Sequence, residues 1–148
     1  MMIQTPYFGE VEIEKEKMVK FEKGIPGFQD ETQFVFIELP ETPFFIMHST
    51  QSELYFFVIN PYQFISDYEV LITDAVVEAL DIENSKDVAI YNIVTLKDDI
   101  YQSTANLQAP IIVNAKNKKG KQVILNQTSY SIRQPIFTQQ TAKKASSE

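Results

Sequence analysis

The stretch from Leu54 to Tyr68, LYFFVINPYQFISDY, constrains this chain more than any other. It begins as an unbroken apolar run from Leu54 to Ile59 and breaks at Asn60-Pro61. Tyr, Phe, Val and Ile are strand formers, and a short run apolar at every position fits a strand covered on both faces. Proline has no N–H to give to a sheet and pushes the residue before it out of the helical region, so the strand is expected to end at Asn60. Tyr62, Phe64 and the pair Asp67-Tyr68 follow. The stretch therefore reads as a path from the middle of a core to an aromatic corner.

The rest of the chain can build that core. It has 148 residues, 44% of them hydrophobic, with 11 Phe and 7 Tyr. That is one domain, long enough to bury roughly two-thirds of its unfolded surface. Cysteine is absent, which removes disulfides, thiolate metal sites and a cysteine nucleophile, and fits a reducing compartment. The N-terminus lacks the basic and apolar regions of a secretory signal, and no segment approaches the roughly 18 consecutive apolar residues of a membrane helix. A cytoplasmic protein is the expectation. The formal charge is −7, from 13 Lys plus Arg against 20 Asp plus Glu, which argues against direct nucleic-acid binding and favours a basic partner.

In chain order, Val11 and Ile13 alternate with Glu10, Glu12 and Glu14, the pattern of a strand with one wet face. Met18 to Phe21 is read as the returning strand. In FEKGIPGF (Phe21 to Phe28), Gly24 and Gly27 bracket Ile25-Pro26, so a tight turn with unusual backbone angles is expected, with Phe28 beneath it as a core plug or on it as a contact aromatic. A short helical turn is expected over Gln29 to Thr32. Strands follow at Phe34 to Leu39, Phe44 to His48 and Leu54 to Ile59. Ile72, Ala75, Val76, Ala79 and Leu80 recur at helical spacing, with Thr73 or Asp74 as cap. Strands resume at Val88 to Leu96, then more loosely at Tyr101 to Leu107, and clearly at Pro110 to Asn114. Ala115 to Lys121 is a hairpin tip, Gln122 to Leu125 its return, and Tyr130, Ile132 and Ile136-Phe137 pack a last strand. Short strands at this spacing indicate an all-β sandwich or barrel in residues 1–137, and the polar tail 138–148 is expected to be mobile.

Chemistry is sparse. His48 is the one histidine; Ser49, Ser52 or Ser66 could stand near it, but there is no G-x-S-x-G elbow. A zinc or iron site would want two or three His or Cys ligands. Lys116, Lys118, Lys119 and Lys121 lie on the hairpin tip without interleaved aromatics, a pattern that keeps an edge soluble rather than one that stacks RNA bases. A binding protein, with no enzyme activity and no cofactor, is the reading.

Three blocks together resemble the flagellar assembly factor FliW family, over roughly Thr5 to Phe137. They are FEKGIPGF, LYFFVINPYQFISDY and STANLQAPIIVNAKNKKGKQVIL (Ser103 to Leu125). In the second, an apolar strand is followed by Asn60-Pro61, Phe64 and Asp67-Tyr68. In the third, Asn106-Leu107, Ala109-Pro110, Asn114, Gly120 and Gln122 match. The resemblance implies a mainly β, small antiparallel β-barrel-like domain, and one or two short helices fit the remaining pattern. It implies a monomeric regulator that binds the translational repressor CsrA, relieves its repression of flagellin mRNA, and alternatively binds flagellin. The partner-binding candidates are Phe28, Asn60, Phe64, Asp67, Tyr68, Asn106 and Pro110. The competing reading is a small-molecule-binding β-barrel, which needs a pocket lined by inward polar groups.

Overall fold

The computed structural model describes residues 1–126 and 129–137; the tail expected to be mobile, 138–148, lies outside them. Its centre is a closed ring of seven strands. In spatial order they are β7 (Val88–Thr95), β6 (Tyr55–Ile59), β5 (Phe44–Ser49), β4 (Gln33–Glu38), β3 (Val19–Lys20), β10 (Lys119–Gln122) and β9 (Ile111–Asn114), and β9 returns to β7. Pairing is antiparallel except between β3 and β10. Two short strands, β8 (Thr104–Ala105) and β11 (Gln134–Pro135), extend outward from the end of β7. The antiparallel β-barrel-like domain expected from the chain is therefore the fold.

Alternation along each strand divides the side chains between two cores. Inward from the ring point Phe34 and Phe36 of β4, Phe45 and Met47 of β5, Phe56 and Val58 of β6, and Ile111 and Val113 of β9, around Phe21. The interior is thus filled by apolar side chains rather than by the polar lining that a small-molecule barrel requires. Outward-facing residues are apolar as well, because three other parts of the chain cover them. Ile3 and Ile13 of an N-terminal hairpin lie on Val35. Val76 of the helix α1 (Asp74–Ala79) and Leu80, which follows it, lie on Ile112. Tyr68, Leu107, Leu125 and Ile136 lie against Phe44, Ile59 and Val94. This double cover is why the run ending at Ile59 is apolar at consecutive positions.

Several expectations need correction. The partner of β2 (Gly9–Glu12) is β1 (Met2–Thr5), not the Met18–Phe21 segment, which joins the barrel between β4 and β10 instead. Gly9 makes that first turn at φ 63°, and the Thr5 hydroxyl donates to its carbonyl over 2.9 Å. Gln29 to Thr32 is not helical; after the Phe28–Glu31 turn bond of 3.1 Å the chain passes without regular structure into β4. The return of the β9 hairpin is Lys119 to Gln122, three residues earlier than expected. The final strand is reduced to Gln134–Pro135, and Ile132 is exposed. In α1 the cap is Thr73, whose hydroxyl accepts from the Val76 N–H at 3.3 Å, and the two alanines of the stripe face solvent.

Glycines carry the backbone where no side chain fits. Gly24 and Gly27 have φ of 68° and 87°, the left-handed angles expected of the FEKGIPGF turn. Gly120 has a different reason. It is not the turn residue of the lysine hairpin, since Lys118 takes the left-handed angle there at φ 61°. A Cβ on Gly120 would stand 2.7 Å from the ring of Phe21, which is buried and lies edge-on to Phe34. We expect Gly120→Ala to overpack the barrel and destabilise the protein by about 1–3 kcal/mol. Urea denaturation measures this, and an unchanged midpoint would show that Phe21 can yield.

Candidate functional site

The aromatic corner begins where β6 stops. Asn60 Oδ1 accepts the Tyr62 N–H at 3.0 Å and caps a single 3₁₀ turn, Pro61–Gln63, whose first residue is the proline. The Pro61 carbonyl then accepts from the N–H groups of Phe64 and Ile65, at 3.0 and 2.8 Å. Phe64 is half-buried and meets Phe137 edge-on at 5.5 Å; Phe44 and Tyr101 meet the same ring at 6.5 and 5.4 Å. The corner is thereby pinned to the end of the described chain.

Tyr68 ties the corner to the third sequence block. Its ring is 3% exposed, and its hydroxyl donates to the Leu107 carbonyl at 2.6 Å while accepting from Asn92 Nδ2 at 3.2 Å. Asn92 Nδ2 donates again, to the Asn106 carbonyl at 2.9 Å. Asn106 Oδ1 accepts from the Gln108 and Ala109 N–H groups at 3.1 and 3.2 Å, which shapes the turn leading into Pro110. Burial pushes the Tyr68 hydroxyl up to about 12, against the partial relief of its bond to Asn92. Tyr130 flanks it at 4.9 Å and accepts the Glu69 N–H at 2.9 Å. The Asn-Pro/Asp-Tyr block and the Asn-Leu/Ala-Pro block are therefore one hydrogen-bonded unit.

Of the seven candidate residues, Tyr68 and Asn106 meet in this network, and Asn60, Phe64 and Asp67 lie on the adjoining corner. Tyr68 and Pro110 are buried, Asn60, Phe64 and Asn106 half-buried, and Asp67 exposed. Phe28 lies elsewhere. It is 43% exposed and rests edge-on at 5.8 Å against Phe56, near the start of β6. Asn60 follows the end of that strand, about 13 Å further along at the usual rise per residue. The candidates thus form a corner and a separate turn. Asn92 was missed, although an asparagine inside the apolar run VAIYNIVTL is the kind of residue that needs a partner.

The polar groups near His48 hold structure together. His48 is buried, its Nδ1 2.7 Å from the Ser49 carbonyl and its ring stacked on Tyr55 at 6.0 Å. The Ser49 hydroxyl does not face the imidazole; it donates to Glu31 at 2.5 Å, and Ser52 donates to the other carboxylate oxygen at 2.6 Å. These two bonds lower the pKa of the Glu31 carboxyl and fasten the loop before β6 to the turn after Phe28. At the lysine hairpin, Lys116 pairs with Glu83 at 3.3 Å and Lys119 with Asp81. Asn114 and Asn117 donate to the Leu80 carbonyl, both at 2.9 Å, closing the end of α1.

A family model described as FliW protein matches residues 2–136. The flagellar assembly factor FliW of Geobacillus kaustophilus (strain HTA426) is 44% identical over 144 residues, covering 97% of this chain and all of that protein. The protein of the same name from Bacillus subtilis (strain 168) is 45% identical over 138 residues, covering 92% and 96%. A crystal structure of the flagellar assembly factor FliW superposes with a TM-score of 0.90 at 43% identity, covering 94% of this chain and 99% of that one.

The Tyr68 network has a pH signature. The folded-state value of about 12 lies above the ordinary tyrosine value of 10, so Tyr68 stabilises the fold fully below pH 10 and loses that contribution as pH rises towards 12. Tyr68→Phe is expected to cost about 1–3 kcal/mol at pH 8, because the buried Leu107 carbonyl loses its donor. It should also flatten the fall in stability between pH 10 and 12, measured by denaturation at each pH. An equally steep fall in the variant would place the titration elsewhere.

Proposed function

The chain belongs to the FliW family of flagellar assembly factors, and we propose that it works there as a non-catalytic, protein-binding regulator. In this reading it binds the translational repressor CsrA and relieves repression of flagellin mRNA, and it alternatively binds flagellin. Free flagellin then withdraws the factor from the repressor. The observation that carries the reading is the near full-length likeness to flagellar assembly factors, in sequence and in fold. The network joining Tyr68 to Asn92 and Asn106 supports it, because it makes two of the three resembling blocks a single rigid feature.

The proposal places contacts on the neighbourhood of the seven candidates. Phe28 and Asp67 offer side chains directly, while Asn60, Phe64 and Asn106 offer their exposed parts. Tyr68 and Pro110, being buried, hold the backbone around them. Phe28 suits an anchoring role: an aromatic ring on a turn held by reciprocal backbone bonds between Ile25 and Phe28, at 2.7 and 3.3 Å, costs little further ordering on binding. The acidic balance suits steering towards a basic, RNA-binding protein, and direct contact with RNA is not part of the proposal. The proposed place of work is the cytoplasm, with the free protein a monomer; among the described residues no helix is long and apolar enough to cross a membrane.

Calorimetric titration with purified CsrA and with flagellin tests the reading, and binding to neither would sink it. Phe28→Ala is expected to weaken at least one of the two by about tenfold or more, the scale of an aromatic hot spot. Thermal denaturation of the same variant separates that loss from misfolding.

A further inference from the structure

The barrel has an open end that is bordered by the corner and lies away from the Phe28 turn. It lies where β4 finishes, β5 begins and β7 begins. Three neighbouring aromatics there, Phe36, Phe45 and Tyr91, are only partly buried. Phe36 and Tyr91 stack with centroids 4.6 Å apart and planes 19° apart, and Phe45 meets Tyr91 edge-on at 5.6 Å. Grooves open on both sides of this trio, and Phe45 lines both. One, of about 430 Å³, runs between the N-terminal hairpin and β4. The other, of about 300 Å³, runs between β7 and Tyr62 of the corner.

The charges around this floor are one-sided. The first groove is lined by the carboxylates of Glu12, Glu14 and Glu38 and by one ammonium, Lys17, while the second is lined by uncharged residues. None of these three carboxylates is in an ion pair with a described residue; the ion pairs described lie at the lysine hairpin. An aromatic floor with a net acidic rim favours an apolar side chain below and a cationic one above. It disfavours an acidic or purely polar occupant, because carboxylates facing carboxylates repel.

We propose that this open end is a docking site for a basic segment of a protein partner. An aliphatic side chain of that segment rests on Phe36, Phe45 and Tyr91, and a neighbouring Lys or Arg reaches Glu12, Glu14 or Glu38. The inference rests on the reading of the chain as a protein-binding regulator and adds to it a surface and a chemistry.

The test is titration of the full chain with purified CsrA and with flagellin at low and at high salt. Glu12→Gln/Glu38→Gln is expected to weaken one of the two partners about tenfold or more at low salt, with the difference shrinking at high salt. Lys17→Gln is expected to tighten the same complex, an opposite sign that a loss of folding could not produce. Glu53→Gln, at an exposed site away from the barrel end, is expected to change nothing. Unchanged affinity of the double variant for both partners, with the wild type binding, overturns the docking site and leaves the regulator reading standing. A wild type that binds neither partner overturns both.

Discussion

The pairing of β9 with β7 is the constraint on which the rest of the structure depends. β7 has eight residues, and four of them, Val88 to Tyr91, pair with β9 while Asn92 to Val94 pair with β6. One long strand thus joins both ends of the ring. Closure satisfies the backbone groups that an open edge would leave free, and it separates an inner core from an outer surface that is still largely apolar. Everything outside the ring answers to that surface: the N-terminal hairpin covers Val35, α1 covers Ile112, and the corner with the C-terminal described segment covers Phe44, Ile59 and Val94.

The third cover carries the polar cost of the design. Asn92 stands in the middle of β7, fully buried, on the outward face beside Ile59. Its amide donates to Tyr68 and to Asn106, yet its Oδ1 has no partner among the described residues. An unmet acceptor of this kind costs about 1–3 kcal/mol, and each bond that is made contributes about 1 kcal/mol. Hydrogen bonding alone therefore roughly breaks even. Burial of the Tyr68 ring stabilises by about 1.5–3 kcal/mol and decides the sign. What the network adds is register: Tyr68 can bond the Leu107 carbonyl and Asn92 together in one placement of the corner.

Much of the fold was legible because both of its cores depend on short-period patterns. The strands at Phe34, Phe44, Leu54 and Val88 were readable from residue type and turn signals, and the helix from its apolar spacing and the cap signal at Thr73 or Asp74. Pairing partners were not. The Met18 segment follows a charged turn and looks like a hairpin return, yet its neighbours in space are β4 and β10. Likewise Gly120 lies in a hairpin sequence, but the reason for it is a ring almost a hundred residues earlier. The exposure of Phe28 and the burial of Tyr68 were equally invisible, since both are aromatics beside turns.

By itself the sequence determined most of the element types, the absence of cysteine chemistry, the acidic charge and the family, because these depend on residue identity and local spacing. Tertiary structure alone decided that the ring closes through β7. It also decided that the run ending at Ile59 is covered from outside by Tyr68 and the C-terminal segment, and that an aromatic floor stays open beneath Glu12 and Glu38. Those outcomes rest on contacts between residues far apart in the chain. Such contacts depend on which apolar face finds which cover, and no local pattern encodes that choice.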